Sequence, residues 1–200
     1  GALVLEGNGA YACSKRLDRN LGEKTFEAWL MLSDLDQRGG GVVSVQTLDG
    51  GQFDALVYAE RQGRRWIAGS NHFARTQDVG GESEEKGELI VHLAVTYHKD
   101  GKITLYRNGR PYGRSYKVDS PLTLTKGESE VLLGNRHGGP SESRLFKGRI
   151  LEARLYDYAL SPEAVLASEE AFDGGVSIAS AIAALSASER QEAMRIKLKI

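Results

Sequence analysis

Residues 89–113 read LIVHLAVTYHKDGKITLYRNGRPYG, three short runs in which apolar and polar residues alternate. The dipeptides Asp100-Gly101 and Asn108-Gly109 join these runs. Both dipeptides tolerate positive φ at the two central positions of a turn, so each predicts a two-residue hairpin turn whose twist suits its strands. The stretch therefore predicts an antiparallel meander.

The rest of the chain carries the same punctuation. Its 24 glycines and four prolines lie mainly between short alternating runs, which is typical of an antiparallel all-β protein. The predicted strands are 2–6, 10–14, 25–32, 41–47, 53–58, 64–68, 89–98, 102–107, 110–117, 130–134 and 149–157. This spacing predicts a two-sheet antiparallel β-sandwich. The segment GGESEEKG at 80–87 has no apolar residue and predicts a solvated loop.

The last part of the chain changes character. Ser161 precedes Pro162 and Glu163, a pattern that predicts an N-cap followed by a short helix to about residue 169. Residues 176–200 are rich in Ala, Ser, Glu, Arg and Leu and predict further helix. We therefore predict a sandwich domain at 1–170 and a helical connector at 171–200, leading towards a downstream domain that this sequence lacks.

Composition excludes several classes of partner. The chain has 26 basic and 27 acidic side chains and a net charge of -1, without the cationic surplus that binding to nucleic acid requires. It also has no apolar run near the ~20 residues that span a bilayer. The single Cys13 cannot form an internal disulfide, and its place in a predicted strand predicts a buried, unreactive thiol.

Four segments resemble a known family. They are the opening ALVLEGNGAY, the strand KTFEAWL, the run VHLAVTYHKDGKITLYRNGRPYG, and the closing GNRHGG followed by LFKGRILEARLYDYALSPEAV. In this order they resemble a laminin-G-like, concanavalin A-like jelly-roll domain, from residue 2 to about residue 168. The segments LDQRGGGVVSVQTLDG and RRWIAGSNHFARTQ further resemble a subgroup in large exported bacterial proteins that also carry cytochrome-like domains.

This resemblance implies a fold and a class of function. The fold would be all-β, a concanavalin A-like jelly roll with a short C-terminal helical tail. The function would be that of a monomeric, non-catalytic binding module in a larger extracytoplasmic protein, with carbohydrate as the ligand. A structural domain that docks neighbouring domains or a protein partner is the alternative, and a glycoside hydrolase is a third hypothesis.

Alternation along the strands assigns side chains to two faces. The inward set is Phe26, Ala28, Leu30, Leu32, Val91, Leu93, Val95, Tyr97, Leu151, Ala153 and Leu155. The opposite face would be polar and solvated, with Glu27 and Arg154 as a surface ion pair. Trp29 on that face would either pack under a loop, which we favour, or offer a stacking platform for a sugar.

Two irregular segments supply the candidate ligand-binding residues. From WIAGSNHFARTQ and GNRHGG these residues are Trp66, Asn71, His72, Arg75, Arg136 and His137. An indole can stack on a sugar ring, while amide and guanidinium groups can bind hydroxyls or carboxylates. The alternative is that Asn71 and Gln77 only close backbone hydrogen bonds and that Trp66 and Phe73 fill a small satellite core.

The family resemblance also implies a candidate Ca²⁺ site. Related jelly rolls often hold Ca²⁺ between an opening Asp-Gly and an Asp early in the closing strand. Here Glu6 precedes Gly7 at the first position, but Leu151 stands at the second and only Glu152 lies beside it. The candidate ligands are Glu6, Asn8 and Glu152, and no other cofactor is expected. Because Ca²⁺ takes six to eight oxygens, a lost carboxylate weakens the site.

Catalysis has little support in the sequence. A Glu-x-Asp-x-x-Glu strand motif and a Gly-x-Ser-x-Gly elbow are both absent. Glu27 and Glu152 could face each other by alternation, as a glycosidase pair would. Neither lies in such a motif, so no catalytic residue is predicted.

Overall fold

The computed structural model describes residues 1–173. Its strands are β1 Leu3–Glu6, β2 Ala12–Cys13, β3 Lys24–Leu32, β4 Gly40–Thr47, β5 Phe53–Tyr58, β6 Trp66–Ser70, β7 Val91–Tyr97, β8 Lys102–Arg107, β9 Arg110–Pro111, β10 Tyr116–Lys117, β11 Ser129–Leu133 and β12 Lys147–Tyr156. A 3₁₀ turn covers Asn71–Phe73 and a helix, α1, covers Pro162–Glu170.

The strands form two antiparallel sheets. The larger sheet has seven strands in the order β1-β12-β3-β7-β8-β10, with β9 also paired to β8. The smaller sheet has five strands in the order β2-β11-β4-β5-β6. The predicted two-sheet antiparallel sandwich is confirmed, although the single strand predicted at 110–117 is divided into β9 and β10.

The meander forms as predicted, but one of its turns differs. Asn108 and Gly109 have φ values of 49° and 71°, as a two-residue turn between β8 and β9 requires. At the other turn, His98 N–H donates to Lys102 O and Gly101 N–H donates to His98 O, both at 2.9 Å. With Gly101 at φ 87°, this is a three-residue loop with a glycine bulge, so the two-residue prediction was wrong there.

The core lies between the sheets and contains the residues that alternation had placed inward on β3 and β7. In β12, Ala153 and Leu155 pack against this core as predicted, but the prediction fails at Leu151. Leu30 pairs with Ile150 and Trp29 pairs with Glu152. The residue between them, Leu151, forms a β-bulge. Because one extra residue reverses the alternation, Ile150 rather than Leu151 points into the core, where it is 3% exposed.

The outer face of the larger sheet is covered rather than solvated. Leu160 and Val165 pack against Ala94 and Tyr106 on this face. Thr25 accepts the N–H of Leu160 at 2.9 Å and itself donates to a carbonyl of the same returning segment. The chain after β12 therefore folds back across the sheet and removes this face from water.

Trp29 is part of this buried outer face. Its indole is 1% exposed. The ring stacks on His92 with centroids 4.6 Å apart, and the guanidinium of Arg154 lies 4.6 Å from its centroid. Trp29 is therefore buried, as we favoured, and it offers no open stacking platform.

The helix that follows the sandwich begins where predicted. The side-chain oxygen of Ser161 accepts the N–H of Ala164 at 3.2 Å, as an N-cap does. The chain divides into one compact unit from Gly1 to Glu170 and a second from Ala171 to Ile200. The helix predicted over 176–200 lies outside the described residues. Within residues 1–173, no helix is long and apolar enough to cross a membrane.

Candidate ligand-binding site

Several of the candidate residues meet where β5 begins and β6 ends in the smaller sheet. Phe53 opens β5, and the 3₁₀ turn follows directly after the last residue of β6. The residues that meet there, called the rim cluster below, are Phe53, Asn71, His72, Phe73, Arg75 and His137.

Arg75 holds the loop of this cluster in one conformation. Its Nη2 donates to the carbonyl of Phe53 at 3.0 Å and to Oδ1 of Asn71 at 2.8 Å. Its Nε donates to Oδ1 of Asp54 at 2.9 Å, and its backbone N–H donates to Ser70 Oγ at 2.8 Å. Four contacts from one buried residue therefore fix the loop to β5 and β6.

The carboxylate that anchors Arg75 also joins the two sheets. Asp54 is fully buried, and its second oxygen lies 2.9 Å from the ammonium of Lys24 on β3. The same ammonium donates to the carbonyls of Gly22 and Leu122. Buried charges are tolerated only when they are paired and hydrogen-bonded. The Lys24–Asp54–Arg75 chain therefore couples the rim cluster to both layers of the sandwich.

His137 joins the cluster from the second irregular segment. Its imidazole stacks on the ring of Phe53 with centroids 4.1 Å apart and planes inclined by 10°. Burial is the main cause that lowers the pKa of His137 to about 4, and the charges of Arg144 and Arg136 add to it. The imidazole is therefore neutral near pH 7.

The 3₁₀ turn presents two exposed side chains on a strained backbone. His72 and Phe73 have φ values of 50° and 54°, a left-handed conformation that is uncommon for residues other than glycine. Phe73 is 45% exposed, and the guanidinium of Arg61 lies 5.6 Å from its ring. Backbone strain of this kind persists where the surroundings impose it and is common at ligand sites. Both side chains are therefore displayed by the loop that Arg75 fixes.

Trp66 does not belong to this site. It begins β6 at the end opposite Asn71, is 1% exposed, and packs in the core against Tyr58. Its Nε1 donates to Oε1 of Glu84 at 2.7 Å. The prediction that Trp66 stacks on a sugar is therefore wrong for this structure, because its ring faces inward.

Glu84 shows why the loop at 80–87 is not fully solvated. Its carboxylate is 2% exposed and accepts two further hydrogen bonds from Arg107, at 2.7 and 2.8 Å. A carboxylate can be buried when each of its oxygens has charged or N–H donors. The polar composition of the segment had concealed this inward-facing residue.

Arg136 is also turned away from the rim cluster. Its guanidinium pairs with Glu60, which follows the opposite end of β5 from Phe53. Both side chains are largely buried, and burial lowers the pKa of Arg136 and raises that of Glu60. The pair holds the 134–139 turn across the smaller sheet, so Arg136 supports the position of His137 and is not itself displayed.

Four of the six predicted residues are thus brought together: Asn71, His72, Arg75 and His137. The two irregular segments do meet at Phe53, whose ring contacts His137 and whose backbone carbonyl accepts from Arg75. Sequence reasoning missed Phe53 because it lies in a regular strand. The alternative that Phe73 fills a small satellite core is wrong, because this ring is exposed, and no local signal in the sequence distinguished an exposed ring from a buried one.

The three predicted Ca²⁺ ligands are not brought together. Asn8 donates to Glu6 at 3.2 Å, so these two do lie together. Glu6, however, pairs with Lys147 of β12. Glu152 lies five positions beyond Lys147 along this strand, a separation of about 15 Å at the usual rise per residue. Glu152 instead accepts a hydrogen bond from Arg154 at 2.6 Å. No group of three or more His, Cys, Asp or Glu side chains among residues 1–173 is placed to hold a metal ion.

A lysine lies where the family resemblance had placed the metal. The stem of Lys147 packs over Gly7, where an added Cβ would lie 2.8 Å from its Cε. Its ammonium lies 3.4 Å from Oδ2 of Asp34. A fixed positive charge beside the opening strand repels a second cation, so the residues present do not fit Ca²⁺.

Glu27 accepts a full set of hydrogen bonds under α1. Gly109 N–H donates to Nδ1 of His92, so Nε2 carries the proton and donates to Glu27 Oε1 at 3.0 Å. Tyr156 and Ser168 each donate to Glu27 Oε2 at 3.0 Å. The surface ion pair predicted between Glu27 and Arg154 is instead a buried contact of 3.8 Å, because Glu27 is fully buried.

The two packed antiparallel sheets have the architecture of a concanavalin A-like jelly-roll β-sandwich. The chain belongs to the family Laminin_G_3, described as the concanavalin A-like lectin/glucanases superfamily, which matches residues 6–166. The predicted laminin-G-like, concanavalin A-like resemblance is thus confirmed. A comparison with curated proteins gives no match.

Solved structures with the same fold include three from different sources. Domain 4 of AbnA, a GH43 extracellular arabinanase from Geobacillus stearothermophilus in complex with arabinotriose, is 21% identical with a TM-score of 0.63, covering 83% of this chain and 75% of that one. The native heptameric SAP-like pentraxin from Limulus polyphemus is 15% identical with a TM-score of 0.57, covering 82% and 78%. The Ruminococcus gnavus IT-sialidase CBM40 bound to alpha2,3 sialyllactose is 11% identical with a TM-score of 0.52, covering 79% and 98%.

Proposed function

We propose that this domain is a non-catalytic carbohydrate-binding module, and that the sugar binds at the rim cluster. The observation that carries the proposal is the exposed ring of Phe73, held on a strained loop beside the exposed imidazole of His72. An apolar ring next to polar donors is the usual composition of a sugar site. Phe73 thus takes the role that the sequence had suggested for Trp66.

Each residue of the cluster has a distinct task in this proposal. A sugar ring lies against Phe73, and His72 exchanges hydrogen bonds with its hydroxyls. Arg75 occupies the side-chain oxygen of Asn71, which leaves the amide nitrogen of Asn71 to donate to the ligand. Arg75 itself is buried and acts by holding the loop. His137 contributes a neutral ring beside Phe53.

The proposal includes an extracytoplasmic location and a monomeric state. Domain 4 of the extracellular arabinanase has the same fold and is in complex with arabinotriose. This likeness supports the proposed location and ligand class by analogy of fold. Size-exclusion chromatography with light scattering tests the monomer, and detection of the native protein in exported fractions tests the location.

The absence of catalysis is also part of the proposal. The two carboxylates that could have formed a glycosidase pair are engaged elsewhere, since Glu27 is buried under three donors and Glu152 pairs with Arg154. No hydrolysis of arabinan or sialyllactose is therefore expected. Release of reducing sugar that is lost in Glu152→Gln would contradict this.

A glycan array, followed by calorimetric titration with arabinotriose and sialyllactose, tests the binding. The diagnostic variant is Phe73→Gly, which removes the ring and also relieves the left-handed strain. Its matched control is Glu88→Gly, which makes the same backbone change at φ 58° outside the cluster. We expect Phe73→Gly to weaken binding about tenfold or more and Glu88→Gly to leave it unchanged. Absence of binding at millimolar glycan, or equal affinity in Phe73→Gly, would refute the site.

A further inference from the structure

Among the strands of residues 1–173, only one half of β12 is paired on both sides. Its residues 147–150 pair with β1, whose ladder ends where Leu3 meets Ile150. From Glu152 to Tyr156, β12 pairs with β3 on one side, and none of the strands within residues 1–173 pairs with the other side. The bulge at Leu151 separates the two halves. An uncovered edge presents backbone N–H and C=O groups that another strand can bind.

A groove runs beside the far end of this edge. It is a cavity of about 380 Å³ between residues 155–158 and residues 17–21. Leu17 and Leu155 form apolar parts of its lining and also pack against the main core. Tyr158 stands at its rim with 51% of its surface exposed, in edge contact with Tyr156. The groove is therefore apolar at its base and aromatic at its side.

The charged groups around the groove are already paired. Arg19 lies 2.8 Å from a carboxylate oxygen of Asp157 and 3.2 Å from one of Asp18. These side chains are largely exposed, so their ion pairs contribute little to the stability of the fold and break at a small cost in free energy. On the edge itself, Glu152 pairs with Arg154 at 2.6 Å. Around the groove, one guanidinium is shared by two carboxylates, and all three groups are open to solvent, so they attract a charged ligand only weakly and the apolar lining of the groove decides what binds.

We propose that an extended, uncharged peptide segment adds to the larger sheet along the end of β12 and places an apolar side chain in this groove. The segment runs antiparallel to β12, because it continues the line and direction of β1. Backbone hydrogen bonds supply the affinity, and the groove selects an aliphatic or aromatic side chain. The domain then has a protein-docking edge that is independent of the sugar site.

The test uses a capped heptapeptide of alternating Leu and Thr and a matched peptide that is N-methylated at alternate residues. Titration calorimetry measures affinity, and hydrogen exchange locates the bound edge. We expect the unmodified peptide to protect amides between Glu152 and Tyr156 and to bind about tenfold or more tightly than the methylated one, which cannot donate the ladder hydrogen bonds. Tyr158→Ala should weaken binding, whereas Tyr11→Ala, an exposed tyrosine outside the groove, should not.

Four outcomes would overturn the proposal. The first is that the methylated peptide binds as tightly as the unmodified one, and the second is that Tyr158→Ala binds the peptide as tightly as the wild type does. The third is that the edge amides of the full chain are protected without peptide, which would mean that the chain covers its own edge. The fourth is that raising the protein concentration alone produces both this protection and a dimer, which would mean that a second copy is the occupant.

Discussion

The imidazole of His137 lies flat on the ring of Phe53, with centroids 4.1 Å apart and planes inclined by 10°. This contact joins the 134–139 turn to the start of β5, where Arg75 also binds. Two loops far apart in sequence therefore both contact Phe53, one at its ring and the other at its backbone carbonyl. The contact also buries the imidazole beside Arg144 and Arg136, which determines its protonation.

Stability should fall as the pH drops from 6.5 to about 4, because His137 stays neutral in the folded protein while it is protonated in the unfolded chain. Its pKa is lowered from 6.5 to about 4 in the folded protein, so the unfolded chain takes up the proton first as the pH falls. The unfolding free energy contributed by this residue is therefore complete above pH 6.5 and is lost between pH 6.5 and pH 4. Urea unfolding over this range should show that the wild type loses about 1 kcal/mol more than His137→Gln, after allowance for partial exposure. If the unfolding free energies of the wild type and His137→Gln changed with pH in parallel, the proposed burial of His137 would be contradicted.

Asp54→Asn should be strongly destabilising. The substitution leaves the ammonium of Lys24 and the guanidinium of Arg75 without their shared carboxylate between the sheets. Removal of one partner from a buried charge pair costs about 3 to 5 kcal/mol. Asp100→Asn is the control, because the Lys117–Asp100 pair is exposed to solvent and should contribute little to stability. Denaturant unfolding compares the two, and equal losses would show that the buried pair is not special.

Glu27→Gln should loosen α1 from the sheet. The amide replaces a carboxylate that accepts hydrogen bonds from His92, Tyr156 and Ser168. A hydrogen bond to a charged group contributes about 1.5 to 3 kcal/mol, so the unfolding free energy should drop by about that amount. The backbone amide hydrogens of α1 should also exchange faster with solvent in Glu27→Gln than in the wild type. Glu170→Gln, at an exposed position of α1, provides the control and should change neither measurement.

Cys13 should react slowly although it is exposed. The thiol was predicted to be buried, and that prediction was wrong. Partial desolvation of the sulfur, followed by a 3.2 Å hydrogen bond that the thiol donates to Glu130, raises the pKa of Cys13 to about 11. At pH 8, alkylation by iodoacetamide should therefore be about tenfold or more slower than that of a free cysteine. Glu130→Gln should quicken it, and a rate equal to that of free cysteine would refute the raised pKa.

The parts of the fold that sequence predicted correctly are those with local causes. Asn108-Gly109 closes a turn because both residues adopt positive φ. Alternation along β3 and β7 placed Phe26 and Val95 in the core, because successive side chains point to opposite faces. The same rule failed at Leu151 in β12, since the bulge there has no distinct signature in the sequence.

The candidate site was predicted only in part. Asn71, His72, Arg75 and His137 were identified because polar side chains in irregular segments often bind ligands. The sequence did not show that Phe73, rather than Trp66, is the exposed aromatic ring. Which ring turns inward depends on the partner it finds, here Glu84 for Trp66, and this partner comes from a loop that looked fully solvated.

The sequence by itself determined the sandwich, the meander and the capped helix, because turn chemistry and hydrophobic alternation act over a few residues. Only the tertiary structure decided that α1 covers the outer face of the larger sheet, that Lys147 lies where a metal was expected, and that Phe53 joins the two loops. Each of these depends on packing between residues distant in the chain. Burial and charge pairing are settled by which groups meet in space, and alternation along one strand does not encode this.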